Sequence, residues 1–442
     1  MKSIEALLLA ALLLLLPFLP FRAAASFVTP GEVEAVVDSI PAGWPEAPLI
    51  SAEAAILIDA SSEEILYARN ATKPMYPAST TKLMTALITI ENSSLNDIVD
   101  FPFAATNIPA GSSHIGMRRG EQMVLNECLY GLLLPSANEV ANALALHVSG
   151  DIDAFVSLMN VRANQLGMVN TFFMNPNGLH EEGHYTCAYD LALLMKACAE
   201  NSIFTEISGT QSYVHHADEL LPKDIPMTNT HLMLRSSSEF YNRDVICGKT
   251  GHTEESGYNL VTCAEKDGVR LVAVVLGCKS GDQYVSTQSL LDYGFNYFRP
   301  VLPAELDSSL SMENVFTSSP LSLPVPEGAL VSIGRSDTVL VPANVEFEDL
   351  EKSIEREGDQ IRITYSYQGY PLGNAVLTVG AAAESDPVFE EKDVEPLKHA
   401  DTAQLAVIDG WLVVTAAGLI LILIFFIMLL ASWTLPKKKI RH

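Results

Sequence analysis

Two residues whose types could support nucleophilic catalysis stand three apart in the segment Ser79-Thr80-Thr81-Lys82. A serine hydroxyl attacks a carbonyl group when a base removes its proton, and a lysine is such a base when burial or a nearby cation keeps it neutral. Residues three apart lie on one face of a helix, so we expect Ser79 to be the nucleophile and Lys82 its base at a helix N-terminus. The pattern also recurs by chance, and a capping serine beside a surface lysine is the alternative.

A second pair of polar residues follows an apolar run and Pro135, in the segment Ser136-Ala137-Asn138. We expect the Ser136 hydroxyl to relay a proton between Lys82 and the leaving group. We expect the Asn138 amide to hydrogen-bond the amide of a substrate. A serine after proline also commonly caps a helix, which is the structural alternative.

A third motif, Lys249-Thr250-Gly251, stands at the end of a predicted strand. Lys249 can attract a carboxylate and Thr250 can hydrogen-bond it. Gly251 has no side chain, so the backbone of a substrate can lie alongside the strand. An edge-strand lysine at a turn is the alternative. A nucleotide-binding P-loop is excluded, because its first glycine would fall at position 243, which is Arg243.

The three motifs occur in the order S-x-x-K, S-x-N, K-T-G, a set typical of penicillin-binding proteins and class A β-lactamases. Beyond the motifs, the chain resembles the low-molecular-mass penicillin-binding proteins that act as D-alanyl-D-alanine carboxypeptidases. The resemblance covers about residues 45–300. It rests on the segments YPASTTKLMTALITIE, GSSHIGMRRGEQM, LYGLLLPSANEVANALA, NPNGLHEEGHYT and GKTGHTEESGYNLV.

This resemblance implies a penicillin-binding protein/β-lactamase-like transpeptidase fold, an α/β fold with an antiparallel sheet and a helical part. It implies a serine-type D-alanyl-D-alanine carboxypeptidase that acts on peptidoglycan stem peptides and is acylated by β-lactam antibiotics. No cofactor is implied. The implied site residues are Ser79 as acylated nucleophile, Lys82 as general base, Ser136 and Asn138 as the second motif, and Lys249, Thr250 and Gly251 along the substrate.

The resemblance also implies an oxyanion hole formed by the backbone N–H groups of Ser79 and His252. The His252 side chain is then structural or adjacent to the substrate, and not part of a catalytic triad. One departure concerns an arginine that some relatives carry upstream of K-T-G to help hold the carboxylate. The aligned residue here is Thr230, and the sequence does not place the nearby Arg235 or Arg243.

Two alternative functions use the same residues. A class A β-lactamase needs a glutamate in an E-x-x-L-N pattern for deacylation. That pattern is absent after Ser136, and the nearest loop offers Glu181 and Glu182 without it. A non-enzymatic penicillin-binding wall protein is the other alternative, but a pure binder has no need for three intact motifs.

Local patterns predict how these motifs are positioned. The runs AAILIDA and EILYARN predict a strand pair, and helical periodicity begins at the S-x-x-K motif. Residues 120–147 are predicted to be mostly helical, and Thr186 is predicted to cap the helix that follows it. Three further strands, RDVICGKTG, GYNLVTCAEK and VRLVAVVLGC, precede a last helix, with a turn at Lys266-Asp267-Gly268 between the second and third.

Short β-like runs separated by turn residues, without helical periodicity, predict a small all-β domain over residues 308–382, interpreted as a sandwich. These runs are ALVSIG, DTVLVPA, QIRITYSYQ and AVLTVGA. The region offers no cluster of catalytic residue types. The catalytic domain is therefore predicted to be residues 45–300.

The N-terminus predicts a signal peptide over residues 1–25, with Lys2, an apolar stretch and the cleavage site Ala23-Ala24-Ala25. An uncleaved anchor helix is the alternative. Residues 26–44 are interpreted as a linker, with Pro30 and Pro41 inside it and Pro45 and Pro48 directly after it.

The C-terminal part predicts a membrane anchor. Residues 411–433 carry no charge and would form a helix about 34 Å long, with Trp411 and Trp433 at its ends. The acidic segment 383–410 before it is interpreted as a stalk, and the basic tail 434–442 as cytoplasmic. The catalytic domain is then expected outside the cytoplasmic membrane.

Composition limits the remaining partners. The formal net charge of −26 argues against nucleic acid, because phosphate binding needs clustered basic charge. No C-x-x-C or H-E-x-x-H pattern supports a metal site. Six cysteines show no tight framework spacing and are predicted to be buried thiols, with disulfides as the alternative.

Overall fold

The computed structural model describes residues 43–306, 330–333, 338–357 and 360–380. The strands are β1 (Ala54–Asp59), β2 (Ile65–Arg69), β3 (Ile98–Asp100), β4 (Gln122–Val124), β5 (Ser212–His215), β6 (Ile225–Thr228), β7 (Val245–Thr253), β8 (Gly257–Lys266), β9 (Val269–Cys278), β10 (Phe298–Val301), β11 (Leu330–Ile333), β12 (Val339–Pro342), β13 (Glu351–Glu357), β14 (Gln360–Tyr367) and β15 (Tyr370–Gly380). The α-helices are α1 (Lys82–Asn92), α2 (Phe103–Thr106), α3 (Leu125–Leu133), α4 (Asn138–Ser149), α5 (Ile152–Gln165), α6 (Ala188–Ala199), α7 (Ser202–Gly209), α8 (Asp282–Tyr297) and α9 (Pro303–Leu306). Short 3₁₀ turns cover Ala78–Thr81, Leu232–Leu234 and Phe347–Asp349.

A five-stranded antiparallel sheet in the order β2-β1-β9-β8-β7 organises the catalytic part of the chain. The predicted α/β fold with an antiparallel sheet is confirmed. The turn between β8 and β9 also lies where the sequence predicts it. Asp267 and Gly268 adopt φ of 51° and 81°, the two positive values that a tight hairpin turn needs.

Both faces of this sheet are buried, because successive side chains of a strand point to opposite sides. In β1, Ile56 and Ile58 belong to the core that packs against the helices of the middle segment. Ala55 and Leu57 belong to a second core with α8 and the C-terminal strands. The sheet is therefore a central layer, and its outer strand β7 leaves one edge free to line a cleft.

The predicted helical region 120–147 is divided into α3 and α4. Pro135 lies in the break, where a proline removes a backbone donor and clashes with the preceding turn. The N-cap of α6 is also different from the prediction. Cys187, and not Thr186, caps this helix, and its sulfur accepts a hydrogen bond from the Asp190 backbone N–H.

The all-β character predicted for residues 308–382 is seen in part. Strands β11, β15, β14 and β13 form one antiparallel sheet, whereas β12 pairs with β10. Trp44 packs on Phe298 and Tyr370, with ring centroids 5.4 and 4.6 Å apart. The Tyr370 hydroxyl donates to the Ile65 carbonyl at 2.6 Å, so these strands dock directly on the catalytic part.

Several predicted segments lie outside the described residues. They are the signal peptide, all but the last two residues of the linker, the stalk, the membrane anchor and the basic tail. Among the helices that the structure does describe, none has the length and apolar character needed to cross a bilayer.

Candidate active site

Ser79 lies in the 3₁₀ turn Ala78–Thr81, and Lys82 is the first residue of α1. Ser79 is half-buried and Lys82 is fully buried. The backbone before the serine is strained, because Ala78 has a φ of 49°, which a side chain disfavours. Gly178 explains how this conformation is held. A Cβ at that position would lie 1.9 Å from the Ala78 carbonyl oxygen, so only glycine permits this approach.

The Lys82 ammonium nitrogen has three polar neighbours. It lies 2.9 Å from the Ser79 hydroxyl. It also lies 2.8 Å from the Asn138 side-chain oxygen and donates to the Asn177 carbonyl. The last two are acceptors only, so a neutral amine that donates to both directs its lone pair at the Ser79 hydroxyl. The arrangement fits a base that removes a proton from Ser79.

The charge state of Lys82 is set by its surroundings. Burial holds the pKa of Lys82 well below its usual range, and the nearby Lys249 lowers it further. Glu139 opposes this shift. The net effect favours the neutral amine, which is the form that acts as a base.

The second motif occupies the break between α3 and α4. Ser136 has a φ of 67°, a left-handed conformation that is rare for a residue with a side chain. Its hydroxyl is buried and has no hydrogen-bond partner among the described residues. Asn138 is the first residue of α4, and its backbone N–H donates to the Ser113 carbonyl at 2.9 Å. Strain and an unused polar group are typical of a functional site.

Glu139 ties the second motif to the loop before it. Its carboxylate is buried and accepts hydrogen bonds from the backbone N–H groups of Ile115 and Gly116, at 2.8 and 3.1 Å. A charged acceptor makes such bonds stronger than neutral ones. Glu139 therefore fixes the loop that flanks Ser136 and Asn138.

The third motif lies on β7, and the face of this strand at Gly251 packs closely against the turn that carries Ser79. A Cβ at Gly251 would lie 2.9 Å from the Pro77 carbonyl oxygen and 3.1 Å from the Thr80 nitrogen. Lys249 is buried, and its ammonium donates to the Thr250 carbonyl at 3.1 Å. Burial lowers the pKa of Lys249 to about 7.

The hydroxyl of Thr250 pairs with the hydroxyl of Thr230 at 2.8 Å. Thr230 is exposed and Thr250 is half-buried, so this pair is the accessible part of the third motif. The structure thus places Thr230, the position aligned with the arginine of some relatives, directly beside the K-T-G motif. Arg235 and Arg243 make no such contact with Thr250.

His252 follows the third motif and is exposed, with its ring stacked on Tyr258 at a centroid distance of 4.1 Å. It has no hydrogen bond to Ser79 among the described residues, so the side chain is not placed as a triad base. The oxyanion hole from the backbone N–H groups of Ser79 and His252 stays a prediction.

Asn259 was not identified from the sequence, although it supports the catalytic turn. This buried side chain donates to the carbonyls of Tyr76 and Pro77, at 2.9 and 3.2 Å, and accepts from the Gly277 N–H at 3.0 Å. It therefore joins the sheet to the segment before Ser79. An asparagine directly before the apolar residues Leu260 and Val261 of β8 is the signal that could have identified it.

Two buried histidines support the two sides of the cleft. One lies behind the helical wall, which carries Ser79 and Lys82, and the other lies behind the sheet wall, which carries the K-T-G motif on β7. His184 contacts the Thr81 hydroxyl at 3.0 Å, and His231 contacts the Thr262 hydroxyl at 2.8 Å. Burial lowers the pKa of His184 to about 4 and that of His231 to about 3. Both rings are therefore neutral at physiological pH and act as hydrogen-bonding packing groups.

One further cluster has the composition of a metal site. Glu127, His215 and Asp218 bring ligand atoms within 4.8 Å of one another. Both nitrogens of His215 are already engaged, by Glu127 at 2.8 Å and by the Leu221 carbonyl at 3.3 Å. Asp218 accepts from the Leu221 backbone N–H at 2.7 Å. These contacts explain the cluster as a support for the β5–β6 hairpin.

Comparison with known proteins relates this site to characterised ones. Residues 42–280 match the family described as D-alanyl-D-alanine carboxypeptidase. The chain is 30% identical over 349 residues to the D-alanyl-D-alanine carboxypeptidase DacF of Bacillus subtilis, covering 78% of this chain and 86% of that protein. It is 31% identical to the D-alanyl-D-alanine carboxypeptidase DacC of Escherichia coli, covering 73% and 81%.

Solved structures agree with the sequence matches. A D-alanyl-D-alanine carboxypeptidase from Mycobacterium tuberculosis superposes with a TM-score of 0.52 and 29% identity, covering 58% of this chain and 95% of that one. Penicillin-binding protein 5 from Haemophilus influenzae superposes with a TM-score of 0.61 over 76% and 99% of the two chains. Its 23% identity supports the fold alone.

Proposed function

This chain belongs to the D-alanyl-D-alanine carboxypeptidase family of serine peptidases, and we propose that it removes the terminal D-alanine from peptidoglycan stem pentapeptides through an acyl-enzyme on Ser79. It is a serine-type peptidase. The observation that carries the assignment of the nucleophile is the 2.9 Å contact between the Ser79 hydroxyl and the buried Lys82 amine. A nucleophile within hydrogen-bond reach of its base is the geometry that acyl transfer needs.

In the acylation step, neutral Lys82 takes the proton of Ser79 while the Ser79 oxygen attacks the carbonyl carbon of the penultimate residue. A tetrahedral oxyanion forms, and we assign its stabilisation to the backbone N–H groups of Ser79 and His252. Collapse of this intermediate breaks the peptide bond. The leaving amine of D-alanine must receive a proton at this point.

Ser136 is our candidate for delivering that proton. Its hydroxyl donates to the leaving amine and takes up the proton that Lys82 removed from Ser79, so Lys82 returns to the neutral amine. Its hydroxyl is buried and unpartnered among the described residues, so no competing hydrogen bond has to break. Asn138 is engaged by Lys82, and its amide nitrogen remains for the substrate. In the second step a water molecule attacks the acyl carbonyl while neutral Lys82 accepts its proton. Lys82 then returns this proton to the Ser79 oxygen as the ester bond breaks and the shortened peptide leaves.

The free carboxylate of the terminal residue is assigned to the K-T-G wall. Lys249 supplies positive charge from a buried position and Thr250 supplies a hydroxyl. Binding along β7 would extend the sheet by one strand, because that edge has no strand partner among the described residues. β-Lactams carry a carboxylate beside a reactive amide, so we propose that they acylate Ser79 in the same orientation.

We further propose that the enzyme works on the outer face of the cytoplasmic membrane. The support is the uncharged span 411–433, the basic residues behind it and the apolar N-terminal stretch. A chain ending before Trp411 should be released as a soluble enzyme with full activity on a soluble peptide. Loss of activity in a folded, truncated protein would assign the anchor a role beyond attachment.

The proposed activity is tested with a synthetic stem pentapeptide and a cephalosporin. We expect release of D-alanine from the pentapeptide, slow turnover of the cephalosporin and covalent labelling by fluorescent penicillin. The Ser79→Ala protein should lose both D-alanine release and labelling while keeping its thermal unfolding transition. Rapid cephalosporin turnover would instead indicate a β-lactamase, and labelling without any turnover would indicate a binding protein.

A further inference from the structure

The hydroxyl pair Thr230–Thr250 lies in the cleft beside the Leu134 carbonyl. Thr230 Oγ1 donates to the Leu134 carbonyl at 3.1 Å, and it lies 2.8 Å from Thr250 Oγ1. A threonine hydroxyl has one proton and can accept in addition. If the Thr230 hydroxyl donates to the Leu134 carbonyl, then the Thr250 hydroxyl must be the donor in its contact with Thr230. Both protons are then used inside the protein.

In this state the pair presents only lone pairs to the cleft. A substrate carboxylate also presents only lone pairs, so Thr250 cannot hold it until its proton turns outward. That rotation leaves the Thr230 oxygen without a donor. It also allows the Thr230 hydroxyl to rotate and donate a hydrogen bond to the Thr250 oxygen.

The Leu134 carbonyl allows this exchange at low cost. It also accepts from the Thr230 backbone N–H at 3.0 Å, so it stays hydrogen-bonded when the hydroxyl leaves. The Tyr284 hydroxyl donates to the Thr230 carbonyl at 3.2 Å, which fixes the backbone of Thr230 from the other side. Only hydrogen positions need to change, while the oxygen atoms stay in place.

From these contacts we infer that Thr230 is a specificity-determining residue, whose hydroxyl reorients to polarise Thr250 when a C-terminal carboxylate binds. The chain of donors then runs from Thr230 to Thr250 to the carboxylate. Each bond in such a chain strengthens the next. Lys249 supplies positive charge from a buried position, whereas the hydroxyls of exposed Thr230 and half-buried Thr250 form hydrogen bonds that depend on the acceptor character of the substrate terminus.

This inference rests on the proposed carboxypeptidase activity, and the experiment separates the two. The substrates are a peptide ending in D-Ala-D-Ala and the same peptide with a C-terminal amide. The measured quantity is the ratio of the two kcat/KM values. If the wild-type protein releases no D-alanine, the proposed function fails and the ratio is undefined. If it does, the ratio tests Thr230 alone.

Thr230→Val removes the hydroxyl and keeps the side-chain shape, and Thr230→Ser keeps the hydroxyl. We expect Thr230→Val to lower the acid-to-amide ratio about three- to tenfold, mainly by raising KM for the acid, as loss of one hydrogen bond predicts. Thr230→Ser should restore the ratio to within about twofold of wild type. Thr210→Val is the matched control, because in the described structure the Thr210 hydroxyl donates to the Glu206 carbonyl and makes no hydrogen bond to Thr230 or Thr250.

The inference is overturned if Thr230→Val keeps the wild-type ratio. It is also overturned if Thr230→Ser loses as much as Thr230→Val, since the hydroxyl would then not be the determining group. Where Thr230→Val fails to fold, the comparison of Thr230→Ser with Thr230→Ala in the same assay replaces it. Benzylpenicillin carries a carboxylate, so the Thr230 substitutions should change its acylation rate as they change kcat/KM for the acid peptide, and not as they change kcat/KM for the amide.

Discussion

The two walls of the cleft each bury one lysine, but they surround it differently. On the helical wall, Lys82 is held by a side-chain oxygen of Asn138 and a carbonyl of Asn177, with Ser79 as the third neighbour. On the sheet wall, Lys249 has one hydrogen-bond acceptor within the described part of the chain, the carbonyl of its neighbour Thr250. Burial lowers the pKa of both lysines.

The difference indicates a division of labour. Fixed acceptors on two sides orient the Lys82 amine toward one atom, which suits proton transfer. Lys249 keeps capacity to donate, which suits attraction of an anion. The same residue type therefore acts as a general base at Lys82 and as a cation that attracts the substrate carboxylate at Lys249. The following predictions test this comparison, beginning with the largest expected effect.

The first prediction concerns the base. Lys82→Gln should reduce the rate of acylation by penicillin by about two to four orders of magnitude, because general-base catalysis contributes that much. The glutamine amide can still bond Asn138, so the fold should survive. Stopped-flow or gel-based acylation rates measure the effect, and thermal unfolding checks the fold. A folded variant acylated at more than about a tenth of the wild-type rate would exclude Lys82 as the base.

The second prediction concerns the charge on the opposite wall. Lys249→Gln should lower kcat/KM for a free-acid peptide by about one to two decades, since a charge-assisted hydrogen bond is worth about 1.5–3 kcal/mol. Hydrolysis of the C-terminal amide should change much less. If Lys249→Gln keeps the full preference for the acid, the two lysines do not divide the work as described.

The third prediction concerns the backbone that presents Ser79. Gly178→Ala should destabilise the protein by about 1–3 kcal/mol more than Gly150→Ala. Both glycines have positive φ, 82° and 72°, so both variants include the cost of an alanine in that conformation. Only at position 178 does a Cβ meet the Ala78 carbonyl, and position 150 has open space.

Denaturant unfolding of the two glycine variants measures this difference. The Gly178→Ala protein should also acylate more slowly, because relief of the contact must move the turn that carries Ser79. Equal losses of stability in both variants would mean that the contact at Ala78 is not needed to hold the turn.

The fourth and smallest effect is on pH dependence. Because burial lowers the pKa of Lys249 to about 7, the side chain is charged below that pH and becomes neutral above it. The kcat/KM for a free-acid peptide should therefore fall above about pH 7, by up to about tenfold per pH unit, and level off near the value of the Lys249→Gln protein. The amide substrate should lack this decline. Parallel profiles for acid and amide would contradict the assignment, and Lys249→Gln should remove the decline specific to the acid.

The sequence determined the chemistry of this site by local means. The order of the three motifs predicted a serine acyl-transfer site, and these residues line one cleft in the structure. The strand-like runs and the Lys266-Asp267-Gly268 turn predicted strands β7, β8 and β9 and the turn between the last two, because these features depend on short-range pattern and turn geometry. The mostly helical description of residues 120–147 missed the break that contains Ser136.

The tertiary structure alone decided which atoms surround each functional group. Asn138 and Asn177 lie 56 and 95 residues from Lys82 along the chain, and both reach its amine. Thr230 pairs with Thr250 across 20 residues, and Asn259 reaches Pro77 across 182. Such contacts arise when separate elements pack, and no local pattern encodes them. The residue types in the motifs define what chemistry is available, while packing sets the burial and the partners that make one lysine a base and the other a charge.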